Sequence, residues 1–122
     1  MKKILLVEDQ EFLMKALSDT LVREGFEVLK AYDGAEGLEM AKKNQPDLIL
    51  LDIIMPVMDG ITMLKKLRED AWGKTAKVII LTNLSSSQAM EASKGANVEE
   101  YLIKSNWKLE DVVRISKETL EI

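Results

Sequence analysis

Leu48-Ile49-Leu50-Leu51-Asp52-Ile53-Ile54 is an apolar stretch that is interrupted by one carboxylate. The run before Asp52 is short and does not alternate apolar with polar residues, which is typical of a strand covered on both faces of a parallel sheet. An unpaired charge within such a stretch is costly to remove from water. Asp52 therefore needs partners, and we expect them to be functional ones.

Comparable short runs recur along the chain and alternate with longer segments of helical apolar spacing. The other runs are Ile4–Val7, Val28–Leu29, Val78–Leu81 and Tyr101–Ile103. Gly25 and Gly95 act as stop signals after the first and fourth helices, and Asn106 is the predicted cap of the fifth. Alternation of this kind predicts an α/β fold, a (βα)5 doubly wound domain over residues 1–122, with a parallel five-stranded sheet between two helix layers.

Composition narrows the chemistry that is available to the chain. Its 122 residues are 47% hydrophobic, which suffices for one core, and its net charge of −4 argues against a nucleic-acid surface. It contains no cysteine and no histidine, so carboxylates, hydroxyls and lysines must carry any reaction. The run Ile4–Val7 is too short for a signal peptide or a membrane span, which predicts a cytoplasmic protein without a membrane partner.

The polar residues that end the apolar runs are the candidates for a site. Ligands of doubly wound sheets bind outside the carboxyl ends of the strands. The residues found there are Glu8, Asp9, Asp52, Thr82 and Lys104. Any one of the acids could simply cap a helix, but three carboxylates in one cleft repel each other unless a cation intervenes. A hard divalent cation with oxygen ligands resolves that repulsion, and we expect Mg2+.

Together these residues resemble the receiver domains of bacterial response regulators, over essentially the whole chain. The separations from Asp9 to Asp52, from Asp52 to Thr82 and from Thr82 to Lys104 are 43, 30 and 22 residues, similar to those of the family. The motifs that carry the resemblance are Val7-Glu8-Asp9, the segment Leu51–Gly60 with its Met55-Pro56 and Asp59-Gly60, Leu81-Thr82, and Tyr101-Leu102-Ile103-Lys104.

The resemblance implies a flavodoxin-like sheet of order 2-1-3-4-5 and a phosphoryl group accepted on Asp52 from a histidine kinase or a phosphotransfer protein. Thr82 and Lys104 would contact the phosphoryl oxygens, while Thr82 and Tyr101 would move on phosphorylation. The ligands implied for Mg2+ are the carboxylates of Glu8, Asp9 and Asp52 and the backbone carbonyl of Ile54.

The same resemblance implies which surface signals onward. The fourth helix, the fifth strand and the fifth helix would form the output face, acting on a downstream protein or an attached output domain. It also allows for a phosphorylation-dependent homodimer through that face. The chain would not be an enzyme beyond its own phosphorylation and dephosphorylation, and this domain would not bind nucleic acid directly.

Two alternatives and one departure accompany this interpretation. A magnesium-dependent phosphohydrolase with an aspartate nucleophile would place a second Asp two residues later, where this chain has Ile54. A degenerate receiver that serves only for docking would share the fold. The family usually has Pro after the lysine, with a cis peptide, whereas this chain has Ser105, for which a cis bond costs about 2.5–4 kcal/mol. This leaves the Lys104–Ser105 peptide geometry open.

Overall fold

The structure is a computed structural model that describes residues 1–104 and 107–122. Five strands alternate with five α-helices, as the apolar runs predict, and a 3-10 helix at Gly73–Thr75 precedes the fourth strand. The elements are β1 (Lys3–Val7), α1 (Glu11–Arg23), β2 (Glu27–Ala31), α2 (Gly34–Asn44), β3 (Leu48–Leu51), α3 (Gly60–Glu69), β4 (Val78–Thr82), α4 (Ser86–Ala92), β5 (Glu100–Ile103) and α5 (Leu109–Thr119).

The strands form one parallel sheet of order β2-β1-β3-β4-β5, which confirms the predicted fold. Strand β3 is central, and all four of its residues are buried. Its alternate side chains enter different cores, because successive residues of a strand point to opposite faces. Ile49 and Leu51 pack with residues of α2, α3 and α4, whereas Leu48 and Leu50 pack with residues of α1 and α5. Two helix layers thus cover the sheet.

The predicted helix ends are right in part. Gly25 and Gly95 follow α1 and α4 with φ angles of +96° and +81°, a left-handed conformation that glycine adopts without strain. Asn106 lies outside the described residues, and α5 begins at Leu109 with Lys108 in the cap position. Lys108 therefore takes the cap position that the sequence predicted for Asn106, with Glu110 and Asp111 in the first turn of the helix. The Lys104–Ser105 peptide also lies outside the described residues.

A close backbone contact fixes where α3 begins. A Cβ atom at Gly60 would collide with the carbonyl oxygen of Asp52, so only glycine lets the helix start against the end of β3. The N–H of Gly60 donates to the carbonyl of Ile53 at 2.8 Å, and the Asp59 carboxylate caps the helix by accepting from the N–H of Thr62 at 2.9 Å. These contacts hold the loop that follows Asp52.

None of the helices in the described part of the chain combines the length and the apolar character that a membrane crossing requires.

Candidate phosphoacceptor site

The sheet brings the predicted acidic residues together at the carboxyl ends of its central strands. Glu8 and Asp9 follow β1 and Asp52 follows β3, and these two strands are neighbours in the sheet. One carboxylate oxygen from each of the three residues lies within 4.8 Å of the others. Glu8 and Asp52 are buried, with 3% and 6% of their surface exposed, while Asp9 is half-buried. The three acids therefore form one cluster at the edge of the sheet.

Lys104 reaches into this cluster from the end of β5. Its ammonium nitrogen donates to Glu8 Oε1 at 2.7 Å and to Asp52 Oδ2 at 3.1 Å, and its side chain is only 9% exposed. Burial by itself lowers the pKa of Lys104, but the hydrogen bonds and charges of the two carboxylates outweigh burial and raise that pKa above its ordinary value. Lys104 therefore stays charged and links β5 to the acidic cluster.

Lys104 does not fully offset the cost of burying the negative charges of Glu8 and Asp52. Burial raises the pKa of Glu8 and that of Asp52, and the hydrogen bonds and charge of Lys104 offset the effect only in part. A neighbouring negative charge raises each pKa further. The Asp52 carboxylate acts on Glu8, and the Asp9 carboxylate acts on Asp52. Three carboxylates against one ammonium leave an excess of negative charge on hard oxygen donors. Such a donor set fits a divalent cation of the Mg2+ type.

Backbone N–H groups orient the two buried carboxylates. Asp52 Oδ1 accepts from the N–H of Ile53 at 2.8 Å, and Glu8 Oε2 accepts from the N–H of Gln10 at 3.0 Å. The loop after Asp52 then exposes Ile54, whose side chain is 60% accessible, and holds Val57 at a φ of +67°. A β-branched residue in the left-handed region is strained. The loop beside the cluster is thus held in a costly conformation.

The hydroxyls of Thr82, at the end of β4, and of Tyr101, in β5, form hydrogen bonds away from this cluster. Thr82 is fully buried at the end of β4, and its hydroxyl accepts from the N–H of Leu84 at 3.2 Å. Among the described residues it makes no hydrogen bond to Asp52. The half-buried Tyr101 places its hydroxyl 2.5 Å from that of Ser93, at the end of α4. Sequence reasoning did not identify Ser93, because nothing local distinguishes it from the other serines of this segment.

The fold and the acidic cluster define a class of protein. The sequence profile of the response regulator receiver domain matches residues 4–115, and the chain belongs to that family of signalling modules. It is 36% identical to the chemotaxis protein CheY of Bacillus subtilis over 104 residues, which are 84% of each chain. It is also 38% identical to the transcriptional regulatory protein PrrA of Mycobacterium tuberculosis over 113 residues, 93% of this chain. The match spans about half of PrrA.

A solved structure supports the same family. The receiver domain of a sensor histidine kinase from Pseudomonas aeruginosa, described with a magnesium ion coordinated in its active site cleft, superposes on this chain with a TM-score of 0.89. Sequence identity is 27%, and the superposition covers 99% of this chain and 98% of that one. The fold of this chain is thus that of a solved receiver domain.

Proposed function

We propose that this receiver domain accepts a phosphoryl group on Asp52 from the phosphohistidine of a kinase or a phosphotransfer protein. The observation that carries the proposal is the position of Asp52, buried at the end of the central strand and bonded to Lys104 beside two further acids. Mg2+, held by Glu8, Asp9, Asp52 and the Ile54 carbonyl, would neutralise charge between nucleophile and phosphate.

In the transfer, Asp52 is the nucleophile, and Lys104 and Thr82 are the donors to the phosphoryl oxygens. A carboxylate oxygen of Asp52 attacks phosphorus, the new O–P bond forms as the P–N bond breaks, and the electron pair of that bond returns to the imidazole of the donor. Lys104 already lies at the nucleophile and would donate to a phosphoryl oxygen. Thr82 would turn its hydroxyl from Leu84 toward another. The product is an aspartyl phosphate, and the attacking group is a carboxylate oxygen that Lys104 contacts at 3.1 Å.

In this proposal the phosphodonor binds in a groove next to the site. A groove of about 500 Å³ lies between the beginnings of α1 and α5, and Lys104 and Asn83 are among the residues that line it. Phe12 stands in its wall with 91% of its surface exposed. The remaining wall residues that matter here are Leu13, Ala16, Trp107 and Leu109. A donor helix seated there would bring its phosphohistidine toward Asp52.

Phosphorylation would act on the face formed by α4, β5 and α5, through Thr82, Lys104 and Tyr101. Thr82 is the last residue of β4, Tyr101 lies in β5 and Lys104 follows β5, so a shift at the phosphosite would have a packed, two-state element to act on. The face would bind a downstream protein or an attached output domain, or pair with a second copy of the domain. This switching completes the proposed role as a relay component.

Labelling with acetyl phosphate and Mg2+, followed by intact mass measurement, tests the acceptor. We expect one added phosphoryl group on the wild type and on Asp47→Asn, an exposed aspartate at the opposite end of β3. Asp52→Asn and chelation should both abolish labelling. Equal labelling of Asp52→Asn would refute the assignment, and an unlabelled wild type would favour a docking-only receiver. Phe12→Ala should slow transfer from a kinase while leaving acetyl phosphate labelling unchanged.

A further inference from the structure

A chain of hydrogen bonds joins the end of α4 to β5 through Tyr101. The hydroxyls of Tyr101 and Ser93 lie 2.5 Å apart, and Ser93 Oγ lies 2.8 Å from the carbonyl oxygen of Ala89. Ser93 is buried, with 2% of its surface exposed, and it caps the carboxyl end of α4. The bond between the two hydroxyls therefore links the carboxyl end of α4 to β5.

The direction of donation in this chain follows from the proton count. A serine hydroxyl has one proton, and Ser93 donates it to the Ala89 carbonyl, which can only accept. Ser93 Oγ then serves as the acceptor for the phenolic proton of Tyr101. Bonds that run in one direction polarise and strengthen each other. The Tyr101 ring is thereby held half-buried against the core side that contains Ala89 and Ala96.

This arrangement coexists with a Thr82 hydroxyl that is not turned toward Asp52. Thr82 accepts from the N–H of Leu84 in the loop that leads into α4. Turning Thr82 toward a phosphoryl group would break that bond and remove one of the contacts that hold the start of α4 against β4. A displacement of about 1 Å between Ser93 and Tyr101 already takes their hydroxyls beyond hydrogen-bonding distance. The Ser93–Tyr101 hydrogen bond therefore opposes a movement of α4 relative to β5.

We propose that Ser93 is a positioning residue that latches Tyr101 in the resting state of the domain, so that the Ser93–Tyr101 hydrogen bond opposes the phosphorylation switch. The inference rests on the proposed function, because it takes Tyr101 as a switch residue of a phosphorylated receiver. Ser93, which accepts the Tyr101 hydrogen bond at the end of α4, thereby sets the equilibrium between the resting and the phosphorylated conformations.

Affinity for beryllofluoride with Mg2+, a mimic of the phosphoryl group, measures this opposition. One hydrogen bond of ordinary net strength corresponds to about a fivefold change in an equilibrium constant. Ser93→Ala should therefore bind beryllofluoride about fivefold more tightly than the wild type. The matched control is Ser86→Ala, an exposed serine of the same helix, which should leave the affinity unchanged. In a Tyr101→Phe background, Ser93→Ala should have no further effect, because the latch is already absent.

A spectroscopic measurement reports on the latch directly. The chain has two tyrosines, so 3-fluorotyrosine labelling gives two fluorine signals, which Tyr32→Phe assigns. Ser93→Ala should shift the Tyr101 signal and leave the Tyr32 signal in place. A wild type that does not bind beryllofluoride would overturn the proposed function itself. A wild type that binds, together with an unchanged or weaker affinity of Ser93→Ala, or an effect that persists in the Tyr101→Phe background, would overturn the role of Ser93 alone.

Discussion

Replacement of Lys104 by methionine should destabilise the domain mainly through the charges it leaves behind. The ammonium lies 2.7 Å from Glu8 and 3.1 Å from Asp52. At an effective dielectric constant near 20, each contact corresponds to a gross attraction of roughly 5–6 kcal/mol. The desolvation of the lysine, which the variant avoids, offsets several kcal/mol of that sum. Breaking a buried pair from one side leaves a net loss of about 3–5 kcal/mol.

The loss should depend on pH in a defined direction. Without Lys104, burial and mutual repulsion raise the pKa of Glu8 and that of Asp52 further above their ordinary values. A carboxyl with a raised pKa in the folded state binds more protons there than in the unfolded chain, so the free energy of unfolding increases as pH falls. The deficit of Lys104→Met should therefore be larger at pH 8 than at pH 5.

Urea denaturation with a metal chelator present, at both pH values, measures this difference. Lys77→Met is the matched control, because Lys77 is a half-buried lysine that donates to the Thr119 carbonyl at 3.0 Å rather than to a carboxylate. Its effect should be the same at both pH values. If Lys104→Met lost the same free energy at pH 5 as at pH 8, the loss would come from packing, and the electrostatic reasoning would be refuted.

Three further outcomes are expected. Val57→Gly should stabilise the domain by about 1 kcal/mol in urea, because relief of strain at a φ of +67° exceeds the entropy cost of glycine; a net loss would argue against strain. Arg68→Lys should lower the free energy of unfolding by about 2 kcal/mol, because one ammonium cannot reach all the carbonyls to which the guanidinium donates. These are the carbonyls of Gly73, Ala76, Ala96 and Asn97. A loss below about 0.5 kcal/mol would contradict this. Mg2+ at one hundred times its Kd should stabilise the wild type by about 2.7 kcal/mol in a thermal melt and Glu8→Gln by less at that concentration; equal effects would remove Glu8 from the metal site.

The amino-acid sequence by itself determined the class of fold. Apolar runs without alternation predicted buried parallel strands, and the residues ending those runs predicted the acidic cluster, because the carboxyl ends of parallel strands meet at one edge. The strand order came with the family resemblance rather than from the pattern. The cap residue of α5 was not predicted correctly. Asparagine is a favoured N-cap residue and lysine is not, so the sequence favoured Asn106 over Lys108.

Only the tertiary structure decided which side chains meet. Lys104 and Glu8 are 96 residues apart, and sequence reasoning gave Lys104 a role at the phosphoryl group without its bonds to both acids. The links from Ser93 to Tyr101 and from Arg68 to Ala96 and Asn97 had no sequence signal either. Periodicity reports which face of an element is buried, whereas such contacts depend on how two elements pack, and that is set by the whole core.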